Sequence, residues 1–128
     1  MTINEFGYNG MHCKKWLADE EKAKIQVIHG LGEMSEYYEQ FADYMTSHGI
    51  SVYLSEYRDH GRTKLPTDID DIILRSAKEC YAFSECAYAQ SRTPLFLLGH
   101  SLGSQMAQYI LNQIILLFIS HLNLSLDT

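Results

Sequence analysis

A chain of 128 residues has room for one domain core, and its 46% hydrophobic and 20% charged content reads as soluble and globular rather than disordered. Ten Lys and Arg against 16 Asp and Glu leave a net charge of −6 with no basic stripe, which excludes nucleic acid as a partner. Cys13, Cys80 and Cys86 are odd in number and lack C-x-x-C spacing, and His12, His48 and His60 lie far apart, so neither a disulfide framework nor a metal site is expected.

The opening MTINEFGYNG has neither a basic nor an apolar leader segment, which points to the cytoplasm. Ile3 to Tyr8 and Met11 to Leu17 flank Asn9-Gly10, a dipeptide suited to the positive φ angles of a type I′ turn, and predict a β-hairpin. After a charged connector, Ala23 to Ile28 predicts a short strand ending at His29-Gly30-Leu31-Gly32. Met34, Tyr37, Tyr38, Phe41, Met45 and His48 recur at helical spacing, so Ser35 to His48 predicts a helix, with Gly49 in the C′ position. Ile50 to Ser55 reads as the next strand, followed by the polar turn Glu56-Tyr57-Arg58-Asp59-His60-Gly61.

Thr67 to Gln90 reads as helical with a break near Ser84, and Asp68-Ile69-Asp70-Asp71 as its acidic first turn, favourable to the helix dipole. Leu95 to Leu98 is a strand entered from Pro94, and Ser101 or Leu102 opens a helix reaching at least Gln113. The uninterrupted apolar run Ile114 to Ile119 is far shorter than the ~20 residues of a spanning helix. It reads as a buried strand or helix end, with membrane contact at most peripheral. Trp16 is assigned to the core. A hairpin followed by strand–helix–strand–helix–strand–helix is an α/β order: one domain over 1–128, with a mostly parallel sheet and helices on both faces.

The chemistry concentrates in residues 95–104, LFLLGHSLGS. At the carboxyl end of a parallel strand the chain must reverse sharply into a helix. Gly99 and Gly103 remove side chains where the two backbones crowd, leaving Ser101 on a strained turn with its hydroxyl exposed. The bare pattern G-x-S-x-G occurs by chance in about one chain in 25 of this length; its position between an apolar strand and an amphipathic helix is what gives it weight. The Leu102 amide, at the positive end of the helix dipole, is placed to receive an oxyanion formed when Ser101 attacks a carbonyl. His29-Gly30-Leu31-Gly32 also joins a strand to a helix, and the Leu31 amide is the matching second donor. His29 is read as fixing that loop rather than as a base.

These loops, HGLGE at 29–33, EYRDHGRT at 56–63 and PLFLLGHSLG at 94–103, resemble the α/β-hydrolase superfamily and within it the monoacylglycerol lipase and lysophospholipase branch. The likeness runs over residues 1–113 and lapses over 114–128. It implies Ser101 as nucleophile, Leu31 and Leu102 as oxyanion donors, and His29, Gly30, Gly32, Gly99, His100 and Gly103 as loop support. It also implies no metal or cofactor and a small-molecule substrate, a fatty acyl ester. Asp59 stands where the family has glycine, and Glu56 where it has aspartate. The family also needs an acid and then a histidine after the nucleophile; here only His121 and Asp127 follow, in reverse order. The expectation is therefore an incomplete hydrolase domain, lacking the triad acid and base, the later strands and the cap. Such a chain is expected to be inactive alone and to self-associate through the uncovered edge of its last strand.

Two other readings stand beside this one. Gly30-Leu31-Gly32-Glu33-Met34-Ser35 approximates a dinucleotide-binding G-x-G-x-x-G with Glu56 closing the next strand, although Glu33, Glu36 and Glu39 would repel a pyrophosphate. A non-catalytic remnant could bind an acyl ligand or a partner, with Tyr37, Tyr38, Tyr53 and Tyr57 lining its surface.

Overall fold

The structure, a computed structural model, describes residues 1–64 and 72–126, with the side chains of 118 and 121–126 left aside. Five strands, β1 (Thr2–Tyr8), β2 (Met11–Leu17), β3 (Ala23–Ile28), β4 (Ile50–Glu56) and β5 (Leu95–Gly99), form one sheet in the order β1-β2-β4-β3-β5. The hairpin is antiparallel and joins β4 antiparallel, while β3 runs parallel to both β4 and β5. Asn9 (φ 50°) and Gly10 (φ 82°) both take the left-handed region that the two-residue turn demands.

The period-two alternation of the strands sorts side chains onto two faces. Trp16, Val27, Val52 and Leu54 pack against Ala42, Phe41 and Met45 of the helix α1 (Glu39–Ser47). Met11, Cys13 and Tyr53 pack on the other face against Phe83 and Ala87 of α2 (Ile72–Ala89). On that same face Ile28 meets Ala77 and Cys80 of α2 and Met106 and Ile110 of α3 (Leu102–Leu126). Trp16 is fully buried.

Three expectations are revised. The segment from Ser35 opens as a 3₁₀ turn, Ser35–Tyr38, before α1 begins at Glu39. The Ser35 N–H is drawn to the Glu56 carboxylate at 2.9 Å, a contact from another strand that tightens the first turn. The helix then ends at Ser47, capped by His48, with Gly49 (φ 81°) in the C′ position.

There is no break at Ser84: its hydroxyl bonds back to the Cys80 carbonyl at 3.0 Å and to the buried Gln26 side chain, so the serine stays inside the helix. The proposed helix start at Thr67 and the acidic run 68–71 lie outside the described residues.

The largest revision concerns 114–119, which is not a strand and whose described side chains are not buried. With no Gly or Pro to stop it, α3 continues through Leu126, and Ile114, Ile115, Leu116, Leu117 and Ile119 stand exposed on it. Among the described residues no helix is long and apolar enough to cross a membrane.

Two buried polar side chains of β3 tie the sheet to α2. Lys24 reaches the carbonyls of Ala87, Tyr88 and Ser91 at 2.9, 2.9 and 3.0 Å, closing the carboxyl end of the helix. Gln26 donates to the Cys80 carbonyl at 3.1 Å.

Candidate active site

The turn after β5 is held chiefly by its own backbone, with the Ser104 hydroxyl donating to the Ser101 carbonyl at 2.6 Å. Its amides donate from His100 to Ile28 at 3.1 Å, from Gly103 to His100 at 2.9 Å and from Ser104 to Ser101 at 2.9 Å. Ser101 sits at the apex, exposed, with φ 55°. Only three non-glycine residues among those described have positive φ, and the other two, Asn9 and Asp59, are the types that tolerate it. A serine there is strained, as a hydroxyl thrust from a strand-to-helix bend requires.

The two flanking glycines are dictated by packing. A Cβ on Gly99 would press on the Gly103 carbonyl and the Ser104 Cα at 2.6 Å, and one on Gly103 would collide with Ile28 O and lie 2.7 Å from His29 O. The amino end of α3 is thus seated on the carboxyl end of β3. Leu102 is the first residue of that helix, where an amide has no partner within the helix.

The 29–33 loop lies beside this turn. A Cβ on Gly30 would meet His100 O at 3.2 Å and His100 Nδ1 at 3.3 Å, so the two loops that the sequence singled out share one end of the sheet and touch. Leu31 projects outward, 72% exposed, from the tip of its loop.

His29 is fully buried and stacks on Tyr57, ring centroids 3.9 Å apart and nearly coplanar. Its Nδ1–H donates to the Gly30 carbonyl at 2.8 Å, and its Nε2 accepts the Tyr57 amide at 3.3 Å. The Tyr57 hydroxyl returns a bond to the His29 carbonyl at 2.9 Å. Burial is the main force pushing the imidazole down to about 4, so it is neutral near pH 7 with both nitrogens committed. A ring so placed braces the loop and has no lone pair to offer Ser101.

The 56–63 turn is organised by Glu56, which the sequence marks as a departure from the family pattern and as the acid closing the strand in the nucleotide reading. Its buried carboxylate accepts the amides of Ser35 at 2.9 Å and Arg62 at 3.0 Å. Asp59, in the family's glycine position, has the φ of 58° that glycine would serve, and aspartate can adopt it.

In the sequence Glu33 closes the HGLGE loop and stands as a charge that would repel a pyrophosphate. In the structure its Oε1 accepts the Gly30 amide in a short bond, the Tyr38 hydroxyl at 2.9 Å and His100 Nδ1 at 3.1 Å. Burial opposes its ionisation, but these bonds outweigh burial and hold the carboxyl below its ordinary range. Carboxylates therefore occupy both the Gly30 and Ser35 amides, which a pyrophosphate would need; the nucleotide reading has no free cradle here.

Among the described residues, no hydrogen bond joins a histidine to Ser101 Oγ. His100 Nδ1 faces Glu33, and His60 Nδ1 donates to the Arg58 carbonyl at 2.8 Å. The His121 side chain and Asp127 lie outside the described residues. A cleft of about 340 Å³ opens between the 29–33 loop and the 56–63 turn, lined by Leu31, Glu33, Asp59, His60 and Ile72.

A five-stranded mixed sheet, helices on both faces, and a glycine-flanked serine bend beside a His-Gly loop define an α/β-hydrolase domain. The family model described as Serine aminopeptidase, S33, matches residues 19–114, and the chain belongs to that family. A monoglyceride lipase homolog of monkeypox virus is 31% identical over 101 residues, covering 76% of this chain and 36% of that protein.

Two solved structures share the fold. The protein TT1662 of Thermus thermophilus matches at a TM-score of 0.73 and 21% identity, over 88% of this chain and 52% of its own. A thermostable carboxyl esterase of Bacillus coagulans matches at 0.74 and 20%, over 86% and 40%. The chain thus spans about a third of the length of its viral relative.

Proposed function

We propose that the chain carries the nucleophile and oxyanion half of a serine hydrolase acting on carboxylic esters with a fatty acyl chain, in the manner of a monoglyceride lipase. The observation that carries this reading is Ser101, exposed at φ 55° on the bend between β5 and α3, with the Leu31 loop against the same bend. The viral relative's name adds the lipid ester to that reading.

In the reaction, Ser101 Oγ attacks the ester carbonyl carbon as a base takes its proton, and the carbonyl oxygen becomes an oxyanion held by the Leu31 and Leu102 amides. The tetrahedral adduct collapses, the alcohol leaves with a proton, and water then hydrolyses the acyl-serine. One such donor contributes about 3 kcal/mol to the transition state. The same reading expects slow or absent turnover by this chain alone, since Ser101 needs a base to take its proton.

A fluorophosphonate probe tests the proposal on the full chain. Labelling that disappears in Ser101→Ala supports an activated hydroxyl, and hydrolysis of a p-nitrophenyl ester at the same serine measures how far the chain acts unaided. A Ser101 that stays unlabelled selects the other reading, a module that binds an acyl ligand or partner without chemistry.

A further inference from the structure

The two amides assigned to the oxyanion, of Leu31 and Leu102, are 71 residues apart in sequence, so something must fix their separation. Backbone bonding alone does this on one side only, through the His100 amide on Ile28 O at 3.1 Å. That bond sets the base of the serine bend and leaves the tip of the 29–33 loop unattached. On the tip side, a single carboxylate oxygen makes the connection. We propose that Glu33 is a positioning residue for the oxyanion site, its Oε1 clamping the Gly30 amide of one loop to His100 Nδ1 of the other.

Several observations converge on this clamp. Gly30 is closely covered by the Glu33 carboxylate and His100, so that a Cβ there would stand 2.8 Å from Glu33 Oε1 and 3.2 Å from His100 O. The Tyr38 hydroxyl supplies a third bond at 2.9 Å, from the 3₁₀ turn, so the carboxylate is oriented from behind as well. Burial, followed by the Glu33 contact, raises the Tyr38 phenol, so it stays a donor at neutral pH. Since Oε1 accepts, His100 Nδ1 carries a proton, and this fixes the ring of the residue that immediately precedes the nucleophile. The geometry is that of a carboxylate orienting other groups without touching the reacting atoms.

The catalytic consequence rests on the reading of Ser101 as nucleophile; the clamp itself does not. The test therefore has two readouts on the full chain: amide proton–nitrogen correlation spectra, and the rate of fluorophosphonate labelling.

In Glu33→Ala, the amides of His100, Ser101 and Leu102 should move together with those of Gly30 and Leu31, and labelling should slow about tenfold or more, as expected for a displaced oxyanion donor. Glu33→Gln keeps a carbonyl acceptor and should restore labelling to within about threefold of the parent, while the Gly30 amide proton moves upfield as its acceptor loses charge. Urea unfolding of each variant separates loss of position from loss of fold.

The clamp is refuted if Glu33→Ala leaves the His100–Leu102 amides unmoved, or if labelling proceeds at the parent rate. Should the alanine variant not fold, an unmoved Gly30 amide in the glutamine variant refutes it equally. If the parent chain is not labelled at all, the proposed function fails, and the amide shifts still decide whether Glu33 joins the loops.

Discussion

Gly103 lies directly against the carbonyl oxygen of Ile28, with no space for a methyl group between them. The neighbour is backbone at the end of a central strand, so it cannot turn aside as a flexible side chain would. Gly103→Ala should therefore force α3 away from β3 and destabilise the fold by about 3 kcal/mol, the upper range for overpacking. Urea denaturation measures it, and a loss under about 0.5 kcal/mol would mean that the helix is not seated as described. The same displacement carries Leu102 away from Leu31, so serine labelling should fall in parallel.

His29 gives the fold an acid limb. Its pKa is 6.5 in the unfolded chain and about 4 in the folded one, chiefly through burial. Between those values the unfolded state binds more protons, so stability rises with pH through this window, is fully present above about 6.5, and is lost as pH falls toward 4. At about 1.4 kcal/mol per unit, the full effect is about 3 kcal/mol. Glu33, whose carboxyl is also depressed, loses its contribution only below its ordinary value of 4.5, so the two limbs separate. Unfolding free energies at a series of pH values should show the upper limb in the parent chain and not in His29→Gln.

How much of this was legible in the sequence follows from how local each determinant is. Asn9-Gly10 and Gly49 announce their positive φ angles by residue type, and the Gly99–Gly103 bend announces itself by the spacing that strand-to-helix packing requires. Ala23–Ile28 came out with its observed bounds because strand and loop differ sharply in composition. What was missed depends on partners distant in sequence. The 3₁₀ start at Ser35 is imposed by Glu56, the continuity of α2 through Ser84 by Gln26 and a back-bonded hydroxyl, and Glu33's role by His100. The run from Ile114 was read as a buried strand or helix end because short apolar stretches do not distinguish strand from helix, and its exposure on α3 is invisible without the fold.

That exposure leads to a third expectation. Phe96 on the edge strand β5 is 57% exposed, and it continues into Leu111 and Ile114 of α3, with the apolar groove of about 400 Å³ between them. Among the described residues β5 pairs only with β3, so its outer backbone edge is available to an identical strand. A second copy of this chain is the expected occupant. Light scattering after size exclusion should show mass rising with concentration to the dimer or beyond, and Phe96→Lys with Leu111→Lys should return the monomer. A parent chain that stays monomeric throughout would rule the contact out.

Ser101 should also trade stability for chemistry. Its φ of 55° costs about 1 kcal/mol for a residue with a Cβ and nothing for glycine. The site is exposed and Oγ makes no hydrogen bond among the described residues, so Ser101→Gly relieves strain while giving up no contact that holds the bend; the bonds there come from the backbone amides of His100, Gly103 and Ser104 and from the Ser104 hydroxyl on the Ser101 carbonyl, which glycine keeps. Glycine also gains entropy in the unfolded chain, and that offsets part of the relief. The variant should still be as stable as the parent or up to about 1 kcal/mol more so, while Ser101→Ala, which keeps the strained Cβ, should be close to neutral. Paired urea unfolding curves measure the difference. A destabilised Ser101→Gly with a neutral alanine variant would mean that the serine conformation is supported by contacts of its own, and the bend would not be the strained presentation of a hydroxyl.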